Sequence, residues 1–371
     1  MSNPSPAHTI ASWSCRIIHV PTHSRLDTSY GVAEAVRPHV MVTLTTGDGV
    51  TGYGEASPLP MFTGETAESI QLQLQQLLLP ALEKCHSLDI DDNLARLDER
   101  LPGNHAAKAA VDIALHDLAG KLLGQPVYRL LGGLRRHAGF PVTRAIGIGA
   151  IQDVIDQALK WTAMGFKTLK IKVGLKPQED IARVRALRDA VPADVSIRID
   201  ANQGYDVPDA IRVLSALADI VQYCEQPIAA WNLRGLRQIR AATGVRILVD
   251  ESVHTPRDLL AVIEAQAADL VAIKLIKCGG LRGGRLIGDL AGLAGMHCVV
   301  VSPFETHVGA AAGVHLALSL PESPFAHELS IFNVEARNQQ TVAQIPTARD
   351  VVLPPLVPGL GAQLEEATSP A

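Results

Sequence analysis

Thr168-Leu169-Lys170-Ile171-Lys172-Val173 reads as a β-strand that carries two lysines where a buried strand should carry none. Side chains alternate faces along a strand, so Lys170 and Lys172 share one face and Leu169, Ile171 and Val173 the other. Two neighbouring ammonium groups are not buried without negative partners. The chain supplies such partners at the ends of later strand-like runs: Asp200 in Arg-Ile-Asp-Ala-Asn, Glu225 in Cys-Glu-Gln-Pro and Asp250 in Leu-Val-Asp-Glu-Ser. A further lysine, Lys274, ends Leu-Val-Ala-Ile-Lys. Positions 172, 200, 225, 250 and 274 recur at about the length of one strand, one helix and two loops. Chemistry thus sits at the same point of each unit. The pattern reads as a barrel holding a divalent metal between two opposed amines.

Working outward, residues 142–147, 168–173, 195–200, 220–224, 246–250, 270–274 and 298–302 are strand candidates. Helical periodicity lies between them at 151–164, 178–190, 208–218, 232–243, 256–266 and 283–295. Short apolar strands alternating with amphipathic helices favour a parallel sheet, and seven or eight units favour a closed (β/α) barrel. The eighth unit is the least distinct: residues 306–319 supply its helix and His327-Glu328-Leu329-Ser330-Ile331 its strand or strand-end loop. Before the barrel, residues 10–20, 38–46 and 50–56 read as antiparallel strands, the last two joined at Gly47-Asp48-Gly49. The stretch 66–131 is mainly helical. The expected organisation is an α+β capping domain over 1–135, a modified (β/α)7β TIM barrel over 136–335, and a tail over 336–371 that packs back on the cap.

Composition narrows the function classes. The chain has 371 residues, 47% of them hydrophobic, which is enough for one large domain and a smaller one. With 33 basic and 38 acidic residues the net charge is -5, and no basic stripe or zinc-finger spacing points to nucleic acid. Apolar runs are too short or interrupted to span a bilayer. Five scattered cysteines form no disulfide scaffold or structural zinc site, and no signal peptide is visible, so a cytoplasmic protein is expected.

Strand ends in a closed barrel point into one shared mouth, where Asp200, Glu225 and Asp250 would converge. Three oxygen ligands suit octahedral Mg2+, or Mn2+ in its place. Lys172 and Lys274 would flank the α-carbon of a small-molecule carboxylate bound there, one as base and its opposite as acid. Removing the α-proton puts charge on the carboxylate oxygens, which a divalent ion stabilises. Nearby positive charge and restricted solvent would lower one lysine's pKa. Lys170 is expected to act electrostatically on the enediolate and to depress the pKa of Lys172. Asn202 shares a strand face with Asp200 and is placed to orient a ligand or water, and Glu251 is expected to bond a lysine or loop.

The combined pattern resembles the enolase superfamily, specifically its muconate-lactonizing-enzyme subgroup, over nearly the whole chain. Lys170-Ile171-Lys172 matches its paired-lysine motif, Asp200, Glu225 and Asp250 its magnesium ligands, and Lys274 its opposing acid/base. Gly64-Glu65-Thr66 and the helix around Asp112-Ile113-Ala114-Leu115-His116-Asp117 resemble its capping domain. The resemblance implies proton abstraction alpha to a metal-bound carboxylate, and a homo-oligomer, dimer or octamer. Three reactions stay open: a racemase or epimerase using both lysines on an amino-acid-derived carboxylate, a muconate-type cycloisomerase, and a hydroxy-acid dehydratase. A non-enzymatic binding protein would leave the ionic cluster without a purpose.

Ile273-Lys274-Leu275 with Lys277-Cys278-Gly279-Gly280 is similar to the epimerase branch. Dipeptide epimerases carry an Asp-x-Asp motif at the eighth strand. His327-Glu328-Leu329-Ser330 lacks it, which argues against an ordinary dipeptide. Glu328 instead resembles the cycloisomerase glutamate that accompanies the sixth-strand lysine. Substrate selection is expected from two capping-domain loops, with Arg25 binding a distal carboxylate, His23 or Tyr30 adding a polar contact, and Met61 and Phe62 covering an apolar part.

Overall fold

A computed structural model describes residues 8–21, 27–28, 31–32, 36–329 and 341–364. The first layer is an antiparallel sheet of β1 (Ile10–Pro21), β2 (Val36–Thr46) and β3 (Thr51–Ala56), in that order, as the turn at Gly47-Asp48-Gly49 requires. Helices α1 (Ala67–Gln73), α2 (Ile90–Arg100) and α3 (His105–Leu122) follow. Alanine-rich α3 is buried over most of its length and lies directly on β3. The approach is so close that a Cβ on Gly54 would stand 1.8 Å from the Ala110 carbonyl oxygen. The Glu65 carboxylate caps this helix, accepting from the Ala106 and Ala107 N–H groups at 2.9 and 3.1 Å.

The barrel runs β4 (Arg144–Ile146), α4 (Ile151–Ala163), β5 (Thr168–Lys172), α5 (Pro177–Ala190), β6 (Ser196–Asp200), α6 (Val207–Leu217), β7 (Val221–Glu225), α7 (Leu233–Thr243), β8 (Ile247–Val249), α8 (Pro256–Glu264), β9 (Leu270–Ile273), α9 (Leu281–Leu293), β10 (His297–Val300) and α10 (His307–Ser319). Its seven strands are parallel and ordered as in the chain. The indistinct eighth element is two residues. His327 N–H donates to Pro141 O at 3.0 Å and Thr143 N–H to His327 O at 2.8 Å. On the other edge, Glu328 N–H donates to Val300 O at 2.9 Å and Ser302 N–H to Glu328 O at 2.7 Å. This clasp closes the cylinder, giving the (β/α)7β barrel expected from the sequence.

Carboxylates of the capping domain lock the two layers together. Asp112 of α3 accepts from the Leu281 and Arg282 N–H groups at the start of α9. Glu55 of β3 accepts from the Thr306 and Gly309 N–H groups at the start of α10, both at 2.8 Å. Each helix N-terminus thus receives a negative charge from the other layer. In the tail, Thr341–Ala343 pairs with Ala362–Leu364, and Leu360 N–H donates to Asp117 of α3 at 2.8 Å. No helix among the described residues is long and apolar enough to cross a membrane.

Candidate active site

Strand register builds the site. Lys172 of β5 stands opposite Asp200 of β6, and Asp200 opposite Glu225 of β7. Glu225 pairs with Leu248 of β8, so Asp250 lies just past the end of that strand. Lys274 directly follows β9 and precedes a single helical turn, Leu275–Cys278. All five side chains are buried at the same end of the barrel.

Their charges are interleaved. Lys172 Nζ donates to Asp200 Oδ2 at 2.5 Å and to Asn202 Oδ1 at 2.8 Å. Lys274 Nζ donates to Asp250 Oδ2. Lys170 Nζ lies 3.2 Å from Asp200, 3.0 Å from Glu225 and 2.6 Å from Glu328. Lys170, Lys172 and Lys274 line one cavity of about 410 Å³ with Asn202 and Glu328. From the capping domain Arg37, Met61 and Phe62 cover it, and Lys274 Nζ stands 4.0 Å from the centre of the Phe62 ring. Lys172, Lys274 and the Phe62 loop thus line the same cavity.

Two lysines are held above their ordinary values, and two expectations change. Burial would push the Lys274 pKa down, but Asp250, Glu251 and Glu225 outweigh it and hold the ammonium above its ordinary value. Lys170 is likewise held well above, because Glu225, Glu328 and Asp200 overcome the cost of burying it. Glu328 accompanies Lys170 and not the sixth-strand lysine, since its backbone is clasped between β10 and the segment before β4. Asn202 does not continue the β6 face: its φ of 42° turns the chain, its N–H donates to Asp200 Oδ1, and its side chain bridges Lys172 and Glu251. Glu251, as expected, bonds a loop residue. Arg25, His23 and Tyr30 lie outside the described residues.

Two residues escaped the sequence reading. Lys277, buried to 1% exposure, donates to Asp250 Oδ1 at 2.6 Å. Its spacing of three from Lys274, within an apolar run, was the available signal. Arg37 lines the cavity and stacks 4.5 Å over the Phe304 ring, and nothing local marks that long-range pairing.

The donor set suits a hard divalent cation. Three carboxylates are buried so closely that Asp200 and Asp250 each oppose ionisation of Glu225. Burial first, and then Asp200, pushes the Glu225 carboxyl up to about 8. Its Oε1 atom has no hydrogen-bond partner among the described residues. An all-oxygen set with a surplus acceptor fits Mg2+ or Mn2+. Among the described residues no three such groups are closed around one point, and ammonium groups lie on the carboxylate oxygens.

Family comparisons agree with this geometry. Residues 14–132 match the model for the mandelate racemase / muconate lactonizing enzyme N-terminal domain, and residues 153–368 the enolase C-terminal domain-like model. The chain belongs to the muconate-lactonizing-enzyme subgroup of the enolase superfamily. Like its relatives it is an isomerase. An L-Ala-D/L-Glu epimerase of Clostridium acetobutylicum is 38% identical over 281 residues, covering 75% of this chain and 78% of that one. A chloromuconate cycloisomerase of Cupriavidus pinatubonensis is 32% identical over 335 residues, 88% and 89% of the two chains. The solved dipeptide epimerase of Cytophaga hutchinsonii, complexed with Mg and D-Ala-L-Val, superposes with a TM-score of 0.92 at 30% identity, covering 97% of each chain.

Proposed function

We propose that this isomerase is a divalent-metal-dependent racemase or epimerase of an amino-acid-derived carboxylate, working by 1,1-proton transfer between Lys172 and Lys274. The observation that carries the reading is that both lysines line one cavity while each is tethered to a different carboxylate of the same buried cluster. Asp200, Glu225 and Asp250 would hold the metal, Mg2+ or Mn2+. When bound, the ion neutralises this cluster and stabilises the charge that develops on the substrate carboxylate.

Lys172 takes the α-proton from one face, and Lys274 delivers one to the other; the opposite stereoisomer reverses the roles. Asn202 holds the Lys172 amine in line through its Oδ1. Lys170, committed to Asp200, Glu225 and Glu328, keeps its proton and fixes the ligands. Phe62 closes the Lys274 side against water.

The test is incubation of single stereoisomers of N-acylated amino acids and dipeptides in deuterated water with Mg2+. Inversion with one deuteron gained at the α-carbon is expected, and chelation with EDTA abolishes it. Exchange without inversion throughout the panel rejects the proposal.

A second reading has its own observation. The Glu328–Lys170 pair stands where an Asp-x-Asp motif would receive a free ammonium, and Glu328 already has a cationic partner. That favours an N-blocked substrate, or a muconate-type cycloisomerase in which one lysine works and the other is electrostatic. Lactone formation from a muconate diacid, without racemisation of any amino-acid derivative, selects this alternative.

A further inference from the structure

The four lysines of the site fall into two pairs. Lys172 and Lys170 share β5, and both reach Asp200. Lys274 and Lys277 share the turn after β9, and both reach Asp250. Within the second pair, Lys274 lines the cavity and Lys277 does not. Lys277 instead turns inward beneath the ligand cluster. Its Nζ donates to Asp250 Oδ1 at 2.6 Å, to the Asp250 carbonyl oxygen and to Ala272 O at 3.4 Å. Asp250 is therefore divided: one oxygen is held from inside by Lys277, and the other is met from the cavity by Lys274.

We propose that Lys277 is a positioning residue, a built-in counter-cation that fixes the Asp250 carboxylate and sets how tightly the site takes a divalent ion. The proposal rests on reading Asp250 as a metal ligand. A buried carboxylate whose only counter-ion were Lys274 would be left uncompensated whenever Lys274 moved to the substrate. With Lys277 in place, Lys274 can leave Oδ2 while Oδ1 stays paired and the carboxylate keeps its orientation. The arrangement also places a lysine ammonium against a ligand, which opposes cation binding. Lys277 thus trades metal affinity for a site that is formed before the ion arrives.

The experiment measures Mn2+ affinity by calorimetry and electron paramagnetic resonance, and thermal midpoints with and without Mn2+, for the full-length wild type, Lys277→Met and Lys277→Arg. Loss of the charge in Lys277→Met should tighten Mn2+ binding about tenfold. It should also lower the metal-free midpoint and enlarge the rise that Mn2+ produces. Lys277→Arg, which keeps the charge, should restore wild-type affinity. A merely packing role predicts weaker or unchanged Mn2+ binding in Lys277→Met, and that result overturns the proposal. A Lys277→Met chain that folds only with Mn2+ supports it. If that chain folds under neither condition, Asp250→Asn/Lys277→Met decides: recovery of the fold supports charge compensation, and continued unfolding overturns it. A wild type that binds no Mn2+ removes the ligand reading itself, whereas a wild type that binds with Lys277→Met indistinguishable removes the Lys277 role alone.

Discussion

Two buried glutamates show what separates scaffold from site in this molecule. Glu55 is saturated: His39 Nδ1 lies 2.8 Å from its Oε1, and Thr306 N–H, the Thr306 hydroxyl and Gly309 N–H donate at 2.8, 2.6 and 2.8 Å. Burial would raise its pKa, but His39 and the Thr306 donors outweigh that and hold it below the usual carboxylate range. Glu225 is equally buried yet incomplete. Lys170 meets Oε2 at 3.0 Å, Oε1 has no partner among the described residues, and the carboxyl is pushed up to about 8. The fold completes the bonds of a carboxylate it uses for assembly. It leaves unfinished the one proposed as a metal ligand.

The contrast should be broken most severely at the two amines proposed to transfer the proton. Lys172→Met and Lys274→Met should each lower turnover about a thousandfold, the range expected for removing a general acid or base. Each variant should lose α-proton exchange chiefly from one stereoisomer, read by NMR in deuterated water. Equal loss from both isomers would argue for a single working lysine and so for the cycloisomerase reading.

Next, the glutamates should respond in opposite directions to the same substitution. Glu55→Gln should cost about 2–4 kcal/mol in urea denaturation, because it weakens charge-assisted bonds and unpairs buried donors. Glu225→Gln should raise the stability of the metal-free protein by relieving repulsion from Asp200 and Asp250, while abolishing Mn2+ binding. The pH sign follows for Glu55: its folded pKa lies below the unfolded one, so its contribution is present above the unfolded value and lost as pH falls through the folded one. Glu55→Gln should flatten that acid limb.

A third, smaller effect belongs to the scaffold alone. His315 is buried and pushed down to about 4; its Nδ1 accepts from the Tyr128 N–H at 3.1 Å and its Nε2 lies 3.2 Å from Leu360 O. The unfolded chain takes up this proton near pH 6.5, so stability is full above that value and falls toward pH 4. The loss should approach about 2–3 kcal/mol, and His315→Gln should remove most of it. The smallest effect is at Phe62→Leu, where loss of the ring beneath Lys274 should cost about 0.5–2 kcal/mol in kcat/KM.

The scaffold was legible because its signals are local: apolar strands, helical periodicity and a charged residue at each strand end. The same regularity brought Lys170, Lys172, Asp200, Glu225, Asp250 and Lys274 to one mouth. What stayed hidden was the choice of partner. Lys277 looks like one more basic residue in a turn until β8 and β9 are side by side. Glu328 joins Lys170, and Glu55 caps a helix about 250 residues away, through distances that only the closed barrel makes short. Asn202 was misread for a local reason, since one positive φ value redirects the chain after Asp200.

The clasp at His327-Glu328 has a consequence for substitution at position 328. Its backbone amides and carbonyls are committed to barrel closure, whereas the Glu328 side chain projects into the cavity. Closure is thereby independent of that side chain, so exchanging Glu328 should alter the cavity wall and the company of Lys170 without reopening the cylinder.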